Sequence, residues 1–252
     1  MRTIITIILC LSSFFLMAQD TNSVDANGKK QGYWEKYHPT GFLRYKGNFK
    51  NDQPTGTFFH FSDKGDLTAK IHHFEGESYA NFYYETGELK STGKYKKQEK
   101  DSLWTYYSIS GHKLAEEFYF NGKREGKWKV FYSNGNVAEE KNFTDNVEHG
   151  DWKTFFPDGK LKSHHNYIKG KIEGVGIYYY QNGLKEIYGK YQNDVRHGIW
   201  VYYNEDGSTK KKEEYKFGRR IDENKDDGLI NPDTLLREKK DYLEFEDLFK
   251  KN

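Results

Sequence analysis

The stretch "RHGIWVYYNEDG", Arg196 to Gly207, crowds a histidine, an arginine, two acids, a tryptophan and two tyrosines into twelve residues. Taken alone, it has the composition of a catalytic or ligand-binding box. Taken with the rest of the chain, it is one printing of a sentence that recurs. Aligned on G-x-W-x-x-Y-x-x-x-G, the sequence holds eight copies, beginning at Gly32, Gly56, Ser78, Ser102, Gly126, Gly150, Gly174 and Gly198. The steps between them are 24, 22, 24, 24, 24, 24 and 24 residues, a periodicity that marks a repeat architecture.

With the first residue of each copy counted as position 0, the shared features fall at fixed places. Position 9 is glycine in all eight copies: Gly41, Gly65, Gly87, Gly111, Gly135, Gly159, Gly183 and Gly207. Position 5 is always aromatic: Tyr37, Phe61, Tyr83, Tyr107, Phe131, Phe155, Tyr179 and Tyr203. All five tryptophans of the protein, Trp34, Trp104, Trp128, Trp152 and Trp200, stand at position 2. Position 17 is aromatic in seven copies (Phe49, Tyr95, Tyr119, Phe143, Tyr167, Tyr191 and Tyr215) and His73 in the shortened one.

Each copy reads as a β-hairpin. A β-branched and aromatic run such as "GIWVYY" suits a strand, and "NEDG" is a turn that ends in glycine where positive φ is needed. A more polar second strand follows, such as "KLKSHHNY" from Lys160 to Tyr167, and then a second turn, for example Asn121-Gly122 or Asn193-Asp194. Two strands per copy make about sixteen strands, and at roughly 4.8 Å per strand they would extend about 75 Å. The expected fold is all-β: an elongated, single-layer antiparallel sheet of about eight stacked hairpins, followed by a short C-terminal helix. Trp at position 2 and the aromatic at position 5 lie three residues apart, which in an ideal strand puts them on opposite faces. Either both faces are partly apolar or a bulge re-aims one of the two.

Runs such as "YFNGKREGKWKVFYSNG" (Tyr119 to Gly135) and "YQNDVRHGIWVYYNEDG" (Tyr191 to Gly207) resemble MORN repeats, and more closely the bacterial MORN-variant type. The resemblance covers about Gly32 to Gly218. It implies a single-layer sheet of stacked hairpins and a role in assembly, scaffolding or membrane association; some relatives carry an antitoxin label. Ala80 and Gly176 at the tryptophan position and the shortened copy at Gly56 depart from the pattern.

Composition agrees with a thin β-architecture: 18 Phe, 21 Tyr and 24 Gly against 4 Pro, with too many aromatics for a disordered chain. The N-terminus "MRTIITIILCLSSFFLMAQD" reads as an export signal, with Arg2, an apolar run from Ile4 to Met17 and cleavage near Ala18-Gln19. Cleavage there removes Cys10, the one cysteine, and with it all disulfide and thiolate chemistry. The implied organisation is a signal peptide over 1–18, a linker over 19–31, the repeat array over 32–220, and a linker with a capping or docking helix over 221–252. That helix has Asn231 as N-cap, Pro232 in its first turn, and Leu235, Leu236, Leu243 and Phe249 near helical spacing. A formal net charge of +2 gives no case for a nucleic-acid partner.

No catalytic residue, metal ligand or cofactor is expected. The nine histidines lack metal-site spacing, and adjacent pairs such as His164-His165 point to opposite faces of a strand. Acid pairs at Glu116-Glu117, Glu139-Glu140 and Glu213-Glu214 face lysine-rich strands, where cross-strand pairing accounts for them. A constellation repeated eight times is not the single preorganised one that catalysis needs. The candidate interaction or packing stripe is Trp34, Trp104, Trp128, Trp152 and Trp200 with Tyr37, Tyr83, Tyr107, Tyr179 and Tyr203. With the export signal and the role that the MORN resemblance implies, the expectation is an exported, non-enzymatic interaction or scaffold module at the cell envelope, its partner another protein or an envelope surface. The alternatives are an aromatic-stripe binder of carbohydrate or choline-like groups, which a small-molecule ligand would require, and an antitoxin-like binder of a toxin. Oligomeric state is left open.

Overall fold

The computed structural model describes residues 21–221, and among these none is helical. The export signal and the C-terminal helix lie outside the described residues. The chain divides into two compact units, the first ending at Phe74 and the second starting at Glu75, a boundary inside the shortened copy.

In the first unit, β1 (Ser23–Val24), β2 (Lys30–Tyr37), β3 (Leu43–Lys50), β4 (Gln53–Phe61) and β5 (Leu67–Phe74) form an antiparallel meander in sequence order. β1 lies in the 19–31 stretch read as a linker. It pairs with Lys30 and Gln31, and its Ser23 carbonyl accepts the indole N–H of Trp34 at 3.2 Å. It thus covers an edge of the first hairpin that would otherwise expose unpaired backbone groups.

The second unit continues the same rule. Its strands are β6 (Glu77–Tyr83), β7 (Leu89–Lys96), β8 (Glu99–Tyr107), β9 (Lys113–Phe120), β10 (Lys123–Arg124), β11 (Gly126–Phe131), β12 (Val137–Thr144) and β13 (Val147–Phe155). They are followed by β14 (Leu161–Ile168), β15 (Lys171–Ile172), β16 (Gly174–Tyr179), β17 (Lys185–Gln192), β18 (Val195–Tyr203), β19 (Thr209–Lys216) and β20 (Arg219–Ile221). Every pairing is antiparallel and joins successive hairpin arms. β10–β11 and β15–β16 are single arms interrupted at Glu125 and Glu173. With those merged, and β1 and β20 set aside, the eight copies supply sixteen strands, two per copy. Ile221 ends β20 rather than opening a linker.

Each copy turns twice. At the outer tip the position 6 amide donates to the position 10 carbonyl, and the position 9 amide donates back to position 6, as in Tyr180 to Leu184 at 2.8 Å and Gly183 to Tyr180 at 2.9 Å. All eight position 9 glycines have φ between 80° and 97°, the left-handed conformation that closes a type I turn with a glycine bulge. At the other end, both central residues have positive φ, as in Asn121 (48°) and Gly122 (75°), which makes the type I′ turn that suits strand twist.

The spacing of three between positions 2 and 5 resolves in favour of two apolar faces. In copy 1, Tyr37 donates to Glu35 two residues back, and Tyr33 does the same from the other side, so positions 1, 3 and 5 share one face. Trp34 lies on the opposite face. A one-residue bulge does recur between positions 4 and 5, but the extra residue is on the second arm: Lys36 pairs with Tyr45 while Tyr37 pairs with Leu43. The tryptophans and the position 5 tyrosines therefore do not make one stripe.

Candidate functional site

The tryptophan face is an aromatic ladder. Within a copy, position 2 meets position 17: Trp34 and Phe49 have ring centroids 6.0 Å apart, Trp128 and Phe143 5.5 Å, Trp152 and Tyr167 5.4 Å, and Trp200 and Tyr215 6.2 Å. The next rung joins position 17 to position 2 of the following copy, as in Phe49 with Phe58 (5.1 Å), Tyr95 with Trp104 (4.9 Å) and Tyr191 with Trp200 (5.0 Å). Most are edge-to-face, the arrangement that the ring quadrupole favours.

Position 15, where the sequence displayed no common residue, decides how deep each rung sits. Where it is glycine, the next copy's aromatic lies directly on it. A Cβ added to Gly47 would come within 2.5 Å of the Phe58 ring, and at Gly93 or Gly189 within 2.2 Å of Trp104 or Trp200. Those three rings are buried, Trp200 completely. Where position 15 is Glu117 or Lys141, the seat holds a long side chain, and Trp128 and Trp152 stay half-buried. At copy 7 the sizes invert: His165 occupies position 15, and position 2 is Gly176, whose added Cβ would meet both His165 (2.9 Å) and Tyr191 (2.7 Å). Gly176, a departure from the repeat in sequence, is thus the partner of a large neighbour.

His165 is only 3% exposed, both ring nitrogens lack a hydrogen-bond partner, and Trp152, Tyr178 and Tyr191 surround it at centroid distances of 5.1, 4.9 and 5.7 Å. Burial holds its pKa near 4 against 6.5 for a free imidazole. Because the folded value is depressed, the unfolded chain binds the extra proton. Stability from this group is complete above pH 6.5 and is lost as pH falls toward 4, by roughly 3 kcal/mol in total. Urea unfolding of the His165→Leu protein should lack that increment of acid sensitivity; an unchanged pH dependence would place the titration elsewhere. Its neighbour His164 lies on the other face and bonds Asp151 at 2.8 Å. Among the described residues no group of three or more His, Cys, Asp or Glu side chains could hold a metal ion.

A cation of the chain itself lies over every tryptophan. At position −2, Lys30 sits 4.8 Å from the centroid of Trp34, Lys100 4.6 Å from Trp104, Arg124 5.9 Å from Trp128 and Arg196 4.4 Å from Trp200. Lys141 serves Trp152 at 4.9 Å. Stems lying along rings with their charge over the π-face are a stabilising use of long cationic side chains.

Copies 4 and 8 carry the same polar assembly around that cation. Tyr106 and Tyr119 each donate to Glu117 at 2.7 Å, and Lys100 donates to the Tyr106 oxygen at 2.6 Å. In copy 8, Arg196 donates to both Tyr202 (2.9 Å) and Tyr215 (3.1 Å), and Tyr215 donates to Glu213 at 2.9 Å. Lys211 and Arg220 also bind Glu213, which with the phenols holds its carboxyl near 2. Burial and the bond to Glu117 push Tyr119 up to about 12.

The opposite face is less filled. At copy 4, Leu103 and Phe118 are cross-strand partners, 48% and 42% exposed, and Phe120 beside them is 61% exposed. Ser102, the residue before Leu103, holds φ at 60°, a conformation that glycine adopts at position 0 of most other copies.

A second period runs through both ends of the hairpins. The position 6 side chain reaches the position 5 carbonyl of the next copy only from odd-numbered copies: His38 to Phe61 (3.0 Å), Tyr84 to Tyr107 (2.8 Å), Tyr132 to Phe155 (2.7 Å) and Tyr180 to Tyr203 (2.8 Å). Even-numbered copies have Ser62, Ser108, Phe156 and Asn204 there. The type I′ turns alternate likewise. Those closing odd copies end in Asp52, Gln98, Asn146 or Asp194; those closing even copies end in Gly76, Gly122, Gly170 or Gly218. Asp52, Asn146 and Asp194 bond back to the amides of Lys30, Arg124 and Ile172 at 2.9, 2.7 and 2.7 Å. The structural unit is a pair of copies.

The family model of the MORN repeat variant matches residues 30–51, 124–145, 148–169 and 196–217. No curated protein matches the chain. Among solved structures, a TarM mutant of S. aureus in complex with fondaparinux, alpha-GlcNAc-glycerol and UDP is 13% identical over 37% of this chain and 19% of its own, with a TM-score of 0.30. TcdB2-TccC3-TEV is 12% identical over 75% of this chain and 14% of its own, with a TM-score of 0.22. The chain thus spans under a fifth of the length of each, and neither likeness bears on function.

Proposed function

We propose, proceeding from the fact that this chain is a MORN-variant repeat protein, that it is a non-enzymatic interaction or scaffold module, exported and acting at the cell envelope, with another protein as its partner. The observation that supports this is the contrast between the two faces at copy 4. The tryptophan rings are covered by the chain's own cations, whereas Leu103, Phe118 and Phe120 are presented to solvent on the opposite face. Exposed contiguous apolar side chains on a single sheet face are what a protein partner buries. A choline-like or carbohydrate ligand would need the π-faces that Lys30, Lys100, Arg124, Lys141 and Arg196 already occupy.

The full chain used as bait in envelope extract should retain a partner that the Leu103→Asp, Phe118→Asp double variant does not. The two new carboxylates would face each other across the strands, so the circular dichroism spectrum of the variant is compared with that of the parent as the fold control. Equal capture by the two baits would remove the patch as the contact, and a tryptophan fluorescence shift on titration with choline or glycans would favour the ligand reading. Export predicts a mature N-terminus at Gln19; uncleaved chain in the cytoplasmic fraction would overturn it.

A further inference from the structure

We propose that Lys100 is a covalent modification site, an amine poised to add to small apolar aldehydes. Its ammonium lies within 4.6 Å of the Trp104 centroid, 4.9 Å of Tyr119 and 5.2 Å of Tyr106, a three-ring enclosure in which it makes one hydrogen bond, to the Tyr106 oxygen at 2.6 Å. Tyr106 in turn donates to Glu117, as does Tyr119. The geometry is a relay: ammonium to phenol, phenol to carboxylate. Burial among the rings pulls Lys100 below the usual lysine range, against the attraction of Glu117. A lysine desolvated in an apolar enclosure beside a proton acceptor is how proteins activate an amine nucleophile.

The chain's own second version of the enclosure shows what sets copy 4 apart. In copy 8 the cation is Arg196, which bonds both phenols and stays protonated, and the carboxylate is Glu213, which Lys211 and Arg220 also bind. The residue corresponding to Lys211 in copy 4 is Ala115, so both hydrogen bonds at Glu117 come from phenols. Copy 4 therefore joins an amine to a carboxylate that no lysine at that position binds.

The reaction balances without a further reagent. The ammonium passes a proton through Tyr106 to Glu117, and the freed lone pair forms a bond to the carbonyl carbon as the C=O π pair moves to oxygen. The nitrogen loses its second proton, the carbinol oxygen takes up protons and leaves as water, and a C=N bond remains. The rings supply an apolar wall for the aldehyde's chain.

The test is limited reductive alkylation of the full chain with butyraldehyde and cyanoborohydride, followed by peptide mass mapping. Lys100 should be labelled about tenfold or more faster than Lys30, which lies over Trp34 without such a relay, a modest part of what positioned proton transfer delivers. Tyr106→Phe keeps the ring and removes the relay, and should bring Lys100 down to the rate of Lys30. Lys100→Arg copies the arrangement of copy 8 and serves as the folded control. Arg196→Lys combined with Lys211→Ala and Arg220→Ala, which frees Glu213 of both its other cations, rebuilds the copy 4 set in copy 8 and should create a second fast site. Labelling of Lys100 no faster than Lys30, full rate in Tyr106→Phe, or no new site in the triple variant would each overturn the proposal.

Discussion

Trp200→Ala should lower stability by about 4 kcal/mol, the loss expected for truncating a fully buried tryptophan in a seat that cannot collapse. Trp200 has no exposed surface, rests on Gly189, meets Tyr191 and Tyr215 edge-on, and donates its indole N–H to the Lys190 carbonyl at 3.2 Å. Its loss would leave a cavity over the glycine and remove the ring under Arg196. Trp128→Ala is the comparison. That ring is half-buried and its indole nitrogen has no partner, so its removal should cost about half as much. Urea midpoints measure both, and equal losses would mean that the glycine seat does not set the depth of the rung.

The converse substitution acts on the same contact from below. In Gly189→Ala the new methyl would fall 2.2 Å from Trp200, far inside contact distance, and the ring is pinned by neighbours on both sides. Relief requires the strands to part or the indole to leave its rotamer, at a cost of about 3 kcal/mol. The two changes interact: combined with Trp200→Ala, Gly189→Ala should add little, giving a coupling of about 3 kcal/mol in the double-mutant cycle. Additive losses would show that the glycine is required for some reason other than the ring above it.

The fold was legible because its evidence is repeated eight times. Position 9 glycines, strand-forming runs and a 24-residue period leave one economical solution, a meander of hairpins. The opposition of Trp34 and Tyr37 was open on both counts, because a bulge moves side chains without changing the spacing of residues, and here the bulge sits on the facing arm. The seat of each tryptophan was not legible from any one copy. Gly93 matters only beside Trp104, eleven residues later, and His165 only beside Gly176, so the information lies in a correlation of sizes across a junction. The cation at position −2 was hidden for a similar reason: lysine is common throughout the chain, and its role appears only when the ring beneath it is known. The alternation of Asp52, Gln98, Asn146 and Asp194 with glycine was visible at twice the period, but aligning all eight copies as equals averages it away.

That alternation gives the number of copies a parity. A position 6 side chain that reaches forward and a turn that ends in a polar residue rather than glycine belong to odd positions, and each is matched by what the following even copy lacks. Loss or gain of one hairpin would bring two like members together and leave a phase fault in the row of joints, while a change of two would leave every joint with its proper mate. Eight is thus one of an even series, and the array is expected to grow and shrink in relatives by about 48 residues at a time.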